Sequence, residues 1–320
     1  MDKKIEIYQL APVPGALMHS YLIKTPNGKI VMMDGGNEER YMEKAYLPTA
    51  IRAILGIGEK DYFEIEGWFL THGHDDHYGE MSVMLKEYDQ NSNYKINNIY
   101  FDFPDFINSP WKDYNLSSLN NLKDRLDNYA KINGIDCGGK KYYDLLNGAV
   151  INSKSVEDGL TITIDGVNFE VLQTYDETDD QVNGNSLVVR VQDCNKKSKT
   201  CLFLGDASVI SGERLLKKYG KKLKSDIVQL AHHGQSGVDK PVYDAVDADL
   251  RLWPIPNWVW NDRVRFKTEE TRSWFNIDLE KVGKSDFVSC LYEKYPENYL
   301  SIDSWKECLD GMKIVLDIKE

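Results

Sequence analysis

The stretch that decides the fold is THGHDDH, residues 71–77. It directly follows a short apolar run, residues 67–70, and it holds three of the six histidines of the 320-residue chain. A packed core does not need this concentration of polar groups, because burying them without partners costs free energy. Histidine nitrogens and carboxylate oxygens are, in contrast, the ligands that zinc takes. The stretch therefore predicts a metal site.

The spacing inside the stretch indicates two metal positions. His72 and His74 stand two residues apart just past a strand, so their side chains point the same way if the backbone stays extended. Gly73 permits a tight backbone path between them. Asp76 and His77 then turn towards a second position, where the helix that follows presents its N-terminus.

The remaining ligands have to come from distant parts of the chain. Asp206 follows an apolar strand, and His232 and His233 follow another, while Asp34 ends a strand near the N-terminus. His232 is the preferred ligand because it comes directly after its strand, which leaves His233 as a proton donor or as an outer partner of the site. His19 is expected to be a polar residue at the surface.

The chain runs through strands first and then helices, in two rounds, and the polar residues of interest follow strand ends. Two packed sheets with helices outside them are the simplest architecture for this order. Amphipathic spacing predicts a helix after the cluster, a second one around residues 116–129 capped by Asn115 or Ser117, and a third at residues 209–219. Alternation and turn signals predict strands at residues 5–10, 20–24, 29–33, 67–70, 96–101, 161–164, 167–171, 186–191, 200–204, 226–230, 249–253 and 313–318.

Composition narrows the class of protein. A formal charge of −12 and short basic runs argue against a long nucleic-acid partner and leave a small anionic substrate open. No stretch approaches about 18 consecutive apolar residues, and no export signal is evident, so neither a membrane span nor export is expected. Five scattered cysteines without a CxxC pair fit a reducing compartment, and a cytoplasmic location is expected.

Four short motifs resemble those of the metallo-beta-lactamase superfamily. They are DGG at residues 34–36, THGHDDH at 71–77, LGD at 204–206 and HHG at 232–234, and they occur in the family's order. Residues 183–189 and 230–234 look most like the branch that contains the soluble domain of DNA-uptake competence proteins. The resemblance implies an α+β fold, a four-layer αββα sandwich, as a single domain over residues 1–320 with a motif-poor C-terminal extension from about residue 276.

The resemblance also implies a dinuclear site with two divalent metals, zinc being favoured and manganese or iron being alternatives. By analogy, His72 and His74 hold the first metal, Asp206 bridges, and the second is held by Asp76, His77 and His232. The chain departs from the family in one respect, because it has no histidine between His77 and His232 to complete the first metal. The residues in that neighbourhood are Asp179, Asp180, Asn183 and Asn185. The residues expected around the metals, in the outer shell or against substrate, are Asp34, Asn183, Asn185 and Ser236.

These ligands predict a hydrolase that uses a metal-bound hydroxide on a small, anionic ester such as a phosphodiester. Asp76 and His233 are its candidate catalytic residues, and no serine or cysteine nucleophile is required. Its partner is a small-molecule substrate, and a homodimer is left open.

Three alternatives compete with this prediction. A non-catalytic metal-binding or scaffold protein would explain an incomplete first metal set. A phosphocholine-type esterase would use the aromatic residues of the segment 253–275, or Trp111, to hold a quaternary ammonium group by cation–π attraction. A diiron redox enzyme on the same fold is disfavoured because no glycine-rich flavin motif is present. A beta-lactam substrate is disfavoured because no export signal is evident.

Overall fold

A computed structural model describes residues 3–17, 19–36, 41–106, 116–148, 160–179, 181–277 and 284–319. Two seven-stranded sheets pack face to face, and helices cover the outer face of each. The predicted four-layer αββα sandwich is therefore confirmed.

The first sheet is mixed and runs in the order β14-β1-β2-β3-β4-β5, with β6 also pairing with β4. Antiparallel pairing joins β14, β1, β2 and β3, whereas β4 runs parallel to β3, β5 and β6. The strands are β1 Lys4–Gln9, β2 Tyr21–Lys24, β3 Ile30–Met33, β4 Phe63–Phe69, β5 Tyr94–Ile96, β6 Ile99–Tyr100 and β14 Lys313–Asp317.

The second sheet runs in the order β13-β12-β11-β10-β9-β8-β7. Strands β7 to β10 form an antiparallel meander, and β10 to β13 are parallel neighbours. Its strands are β7 Leu160–Ile164, β8 Val167–Gln173, β9 Val188–Asp193, β10 Cys201–Phe203, β11 Ile227–Gln229, β12 Leu250–Trp253 and β13 Asp286–Val288.

Residue alternation along the strands builds the layers. Tyr21 and Ile23 point into the core between the sheets, while Leu22 between them faces the outer helices. Helices α1 Leu47–Leu55, α2 Asp75–Glu87, α3 Leu116–Ile132, α4 Tyr142–Leu146, α9 Ile302–Lys306 and α10 Leu309–Met312 contribute to the core outside the first sheet. Helices α5 Val209–Tyr219, α6 Lys240–Val246, α7 Asn257–Asn261 and α8 Thr268–Phe275 pack outside the second. Among the described helices, none is long and apolar enough to cross a membrane.

Several elements differ from their predicted bounds. The strand expected at residues 96–101 is divided into β5 and β6, because the side chain of Asn98 bonds the carbonyl of Glu66 where a continuous ladder would run. Helix α2 begins at Asp75, inside the histidine stretch rather than after it. Helix α1 was not predicted, although Pro48 at its first turn is a start signal. Asn115 lies outside the described residues, and Ser117 lies inside α3.

The segment after residue 276 contributes a strand to each sheet. Strand β14 extends the first sheet beyond β1, and β13 extends the second beyond β12. Trp305 of α9 is fully buried and stacks on Tyr46, with ring centroids 6.1 Å apart. The segment that the sequence analysis described as motif-poor therefore extends both sheets.

The two sheets are also joined at the edge where β4, β6, β8 and β10 end. Asp102 follows β6, and its Oδ2 accepts a hydrogen bond of 3.1 Å from the backbone N–H of Tyr175, which follows β8. Burial raises the pKa of Asp102 to about 6. The folded protein therefore binds this proton more tightly than the unfolded chain, and stability is lost as the pH rises towards and through 6.

We expect Asp102→Asn to raise the free energy of unfolding at pH 8 by about 1–3 kcal/mol, because the amide keeps an acceptor for Tyr175 without a buried charge. The gain should shrink as the pH falls through 6 and vanish near pH 4, where the wild-type carboxyl is protonated. Urea unfolding of both proteins at pH 4, 6 and 8 measures this. An equal difference at all three pH values would contradict the prediction.

Candidate metal centre

The four motifs meet at one edge of the sandwich because each follows the end of a strand. Asp34 follows β3, THGHDDH runs from the end of β4 into α2, Asp206 follows β10, and the histidine pair follows β11. Since β3 runs parallel to β4 and β10 runs parallel to β11, the ends of each pair lie at the same edge. The predicted residues that the structure brings together here are Asp34, His72, His74, Asp76, His77, Asp206, His232 and His233.

The centre converges on one carboxylate oxygen, Oδ2 of Asp206. The Nε2 atoms of four histidines surround it, at 3.4 Å for His77, 3.7 Å for His233, 3.9 Å for His72 and 4.0 Å for His232. Two ligand atoms that bind one zinc ion at 2.0–2.2 Å can be at most about 4.4 Å apart. Asp206 is therefore within reach of an ion shared with each of these histidines.

Two overlapping groups of possible ligand atoms lie around this oxygen. One consists of His72, His77 and Asp206, and the other of Asp76, His77 and His233. His74 adds a further nitrogen to the first group, since its Nδ1 lies 3.0 Å from Nε2 of His72. The arrangement has the donors of a candidate two-ion site.

Asp34 lies behind the centre and orients His77. Its carboxylate accepts hydrogen bonds from the backbone N–H of Thr71 at 2.7 Å and from the Thr71 hydroxyl at 2.8 Å. Nδ1 of His77 lies 2.8 Å from Oδ2 of Asp34, so this nitrogen donates and Nε2 is left facing Asp206. Burial raises the pKa of Asp34, but His77 and His19 lie against the carboxylate and lower it further. The pKa is therefore below its ordinary value. This is the usual support of a metal-binding histidine by a second carboxylate.

His19 corrects the sequence analysis, which placed it at the surface. It is fully buried, its Nδ1 lies 2.8 Å from Asp34, and its ring stacks on His77 with centroids 4.8 Å apart. A single histidine before a strand gives no local sign of this contact. The contact arises only because the start of β2 lies beside the end of β3.

The histidine pair adopts an unusual backbone conformation. His232 and His233 both have positive φ, 53° and 57°, a region that costs non-glycine residues energy. The buried His233 donates from Nδ1 to the carbonyl of Pro254 at 2.7 Å, and its Nε2 lies 3.2 Å from Oδ2 of Asp76. The sequence analysis preferred His232 for this position and kept His233 as a proton donor. In the structure the left-handed turn carries the His233 ring, rather than that of His232, inward beside Asp76.

His232 lies on the other side of the turn. Its side chain is 30% exposed, and its Nδ1 donates to the carbonyl of Ser236 at 3.1 Å. Its Nε2 lies 3.3 Å from Nδ2 of Asn183. Ser236 thus contributes a backbone oxygen rather than its hydroxyl to these contacts.

The charges at the centre fit a cation. Within the part of the chain that the structure describes, the only basic groups within 4.0 Å of Asp34, Asp76 and Asp206 are histidines. Burial lowers the pKa of His77, but the surrounding carboxylates, led by Asp206, raise it well above its ordinary value. Nε2 of His77 and Oδ1 of Asp206 are buried without a hydrogen-bond partner. A divalent cation would satisfy both atoms, so the donor set fits a metal.

The loop in which the sequence lacks a histidine contributes one residue to the centre. Asn185 is buried and bonds the backbone of Asp176, Asp179 and Gln181 within the loop. Asp179 accepts hydrogen bonds from the Ser208 hydroxyl and the Gln181 N–H. Asn183 alone of the described candidates in this loop contacts the cluster, through His232, and Asp180 lies outside the described residues.

The aromatic segment is largely core. Trp253 is fully buried and Trp260 nearly so, both in the core outside the second sheet. Trp258 is 40% exposed and lines a cavity of about 640 Å³ with Tyr295, Tyr299 and other residues, none of which belongs to the histidine–aspartate cluster. Trp111 lies outside the described residues.

A match to one family model agrees with this fold. Residues 18–159, which contain DGG and THGHDDH, match the family model of the metallo-beta-lactamase superfamily. With its two packed sheets and outer helices, the chain has the metallo-beta-lactamase fold. No curated protein matches the sequence.

Two solved structures are similar to the chain at 12% identity and a TM-score of 0.41 each. One is CmlA, a diiron beta-hydroxylase from Streptomyces venezuelae, and the other is a single-residue variant of the CmlA beta-hydroxylase. The similarity covers 79% and 80% of this chain but 44% and 46% of theirs, so the chain spans less than half of their length.

Gly205 positions Asp206 at the end of β10. Its φ is +57°, and a Cβ atom placed there would lie 2.8 Å from Cβ of Thr71 and 3.0 Å from the Ser186 side chain. The backbone of the second sheet can approach the histidine stretch only because this side chain is absent.

We expect Gly205→Ala to lower the free energy of unfolding by about 3 kcal/mol, since both the positive φ and the overpacking oppose the methyl group. Gly28→Ala is the matched control, because Gly28 also has positive φ, +86°, but has no atom within 4 Å of the added Cβ. It should cost only about 1 kcal/mol. Chemical denaturation measures both, and equal losses would show that the close approach to Thr71 is unimportant.

Proposed function

We propose that this chain is a metal-dependent hydrolase of the metallo-beta-lactamase superfamily that acts on a small anionic ester such as a phosphodiester. The observation that carries the proposal is the convergence of four histidine nitrogens on Oδ2 of Asp206. This convergence supports the proposal because histidine nitrogens around a shared carboxylate are the kind of ligands that a two-ion hydrolytic centre uses.

The residues divide into two positions. His72 and His74 would hold the first ion, Asp76, His77 and His233 the second, and Asp206 would lie between the two. Zinc is favoured by the predominance of imidazole, and manganese and iron remain alternatives. When bound, two divalent ions supply a water molecule of lowered pKa and polarise an ester oxygen of the substrate.

The chain's own residues supply access and orientation. His74, Asp76 and His232 are partly exposed, so the centre opens to solvent on their side, whereas His72, His77 and His233 are buried. Asp76 lies on this open side, where its carboxylate can orient the attacking water and hold its proton. A catalytic metal centre is expected to have an open side of this kind. A structural metal site is expected to be closed by four protein ligands.

The preference for an anionic substrate follows from charge. Asp76 and Asp206 would face two divalent ions and Asp34 lies behind His77, so the loaded centre would keep a net positive charge until a bound water ionises. A phosphodiester or a similar anion is attracted to such a centre, and a polyanion as large as nucleic acid would meet a chain of net charge −12.

The scaffold alternative is weakened by the solvent-facing side of the centre, because a purely structural metal needs no opening. The phosphocholine alternative has no support from the aromatic cavity around Trp258, since the cluster residues do not line it. A phosphocholine ester still belongs in the substrate screen as one kind of phosphodiester.

The function is tested with protein reconstituted with zinc or manganese and assayed against phosphodiesters, phosphocholine esters, thioesters, lactones and beta-lactams. Hydrolysis of an anionic ester is the expected result. Fully loaded protein that hydrolyses none of these compounds would contradict the proposal and favour the scaffold reading.

For the substrate that is hydrolysed, we expect Asp76→Asn to lower kcat/KM by about 10²–10⁴-fold, because the amide cannot hold the proton of the attacking water. Asp75→Asn is the matched control, since Asp75 is the adjacent carboxylate on the first turn of α2 and lies outside the cluster. It should change kcat/KM little. Similar losses in both variants would assign the effect to the helix terminus rather than to the centre.

We expect Asp34→Asn to weaken zinc binding by about 10–100-fold, because the amide nitrogen cannot accept a hydrogen bond from His77 or Thr71. Competition with a chromophoric chelator measures the affinity. Asp193→Asn is a matched control for the loss of a buried carboxylate, since Asp193 is 2% exposed and accepts backbone hydrogen bonds in the β9–β10 hairpin. It should lower stability but leave zinc affinity unchanged, and a loss of affinity in both variants would contradict a specific role for Asp34.

A further inference from the structure

The first metal position has two histidines, while the family that the chain resembles supplies three. We infer that His232 provides the missing nitrogen, so that His72, His74 and His232 hold the first ion with Asp206. This inference deepens the proposed function and rests on its two-ion centre.

The distances place His232 within reach of that position. Its Nε2 lies 4.0 Å from Oδ2 of Asp206, and Nε2 of His72 lies 3.9 Å from the same oxygen. Both separations are below the limit of about 4.4 Å for two atoms that share one zinc ion. An ion on Asp206 is therefore within reach of His232 as it is of His72, and the choice of position depends on the residues around each of the adjacent histidines.

The second position does not need His232. Asp76, His77 and His233 already form a group of mutually close ligand atoms, with His233 only 3.2 Å from Asp76. His232 is not a member of that group. The ring centroids of the two adjacent histidines are 6.3 Å apart, which lets one ring serve each of two ions separated by about 3.5–4 Å.

The hydrogen bonds of His232 prepare its Nε2 for a metal. The carbonyl of Ser236 can only accept, so the 3.1 Å contact makes Nδ1 the donor and leaves a lone pair on Nε2. The amide nitrogen of Asn183 donates to that lone pair, and a bound ion would replace this hydrogen bond. A backbone carbonyl on the far nitrogen is the common way in which proteins fix the tautomer of a metal-binding histidine.

The contact with Asn183 shows which loop His232 lies against. This residue belongs to the loop in which the chain has no histidine, and its amide lies 3.3 Å from His232. The left-handed turn after β11 therefore brings the His232 ring against the loop that lacks a histidine. A histidine from a different strand end takes the place of the absent residue.

The test is the metal content of His232→Gly after reconstitution with zinc and removal of free metal, measured by elemental analysis. Glycine is chosen because it accepts the positive φ of this position. Wild type should hold close to two zinc ions per chain and the variant close to one. Added imidazole should restore the second ion, because the side chain it replaces is 30% exposed and its space is open to solvent.

Lys267→Gly is the matched control, since Lys267 is an exposed residue with a φ of 52° away from the centre, and it should keep two ions. If His232→Gly does not fold, His232→Ala replaces it in the same experiment. A His232 variant that keeps two ions with wild-type affinity overturns the inference, and so does a wild type that holds only one. A protein that binds two ions through His232 but hydrolyses nothing would refute the proposed function alone.

Discussion

The buried carboxylate of Asp206 is the constraint on which the centre depends. An ionised carboxylate inside a protein is expensive unless it is paired, and the described residues offer it histidines rather than lysine or arginine. The histidines come from both sheets, so the pairing requires the ends of β4, β10 and β11 to meet. Assembly of the centre therefore depends on correct packing of the two sheets.

Close backbone approach makes that meeting geometrically feasible. Gly205 allows the end of β10 to lie against Thr71, and the peptide N–H of Leu187 bonds the Thr71 carbonyl at 2.7 Å. Asp34 then holds Thr71 and His77 from behind. The result is a rigid inner wall and an outer side, at His74, Asp76 and His232, that reaches solvent. A centre built this way combines fixed ligands with access for a small molecule.

Much of the architecture could be predicted because its signals are local. Alternating residues and turn dipeptides located most strands, and the predicted helix at residues 209–219 has the observed bounds of α5. Helix α1 was missed because its short apolar pattern is not flanked by a polar cap. The aromatic segment carries no periodic pattern, and only the structure shows that Trp253 and Trp260 pack in the core outside the second sheet.

The sequence by itself determined that the chain concentrates histidines and aspartates at strand ends, which indicated metal chemistry, and its family resemblance implied the αββα class. Tertiary structure alone decided how the donors divide. It buried His19 behind Asp34, turned His233 inward to Asp76, and left His232 beside Asn183. Adjacent histidines look alike in a sequence, because their ring directions depend on the backbone φ of the turn and on which distant carbonyl accepts each Nδ1–H.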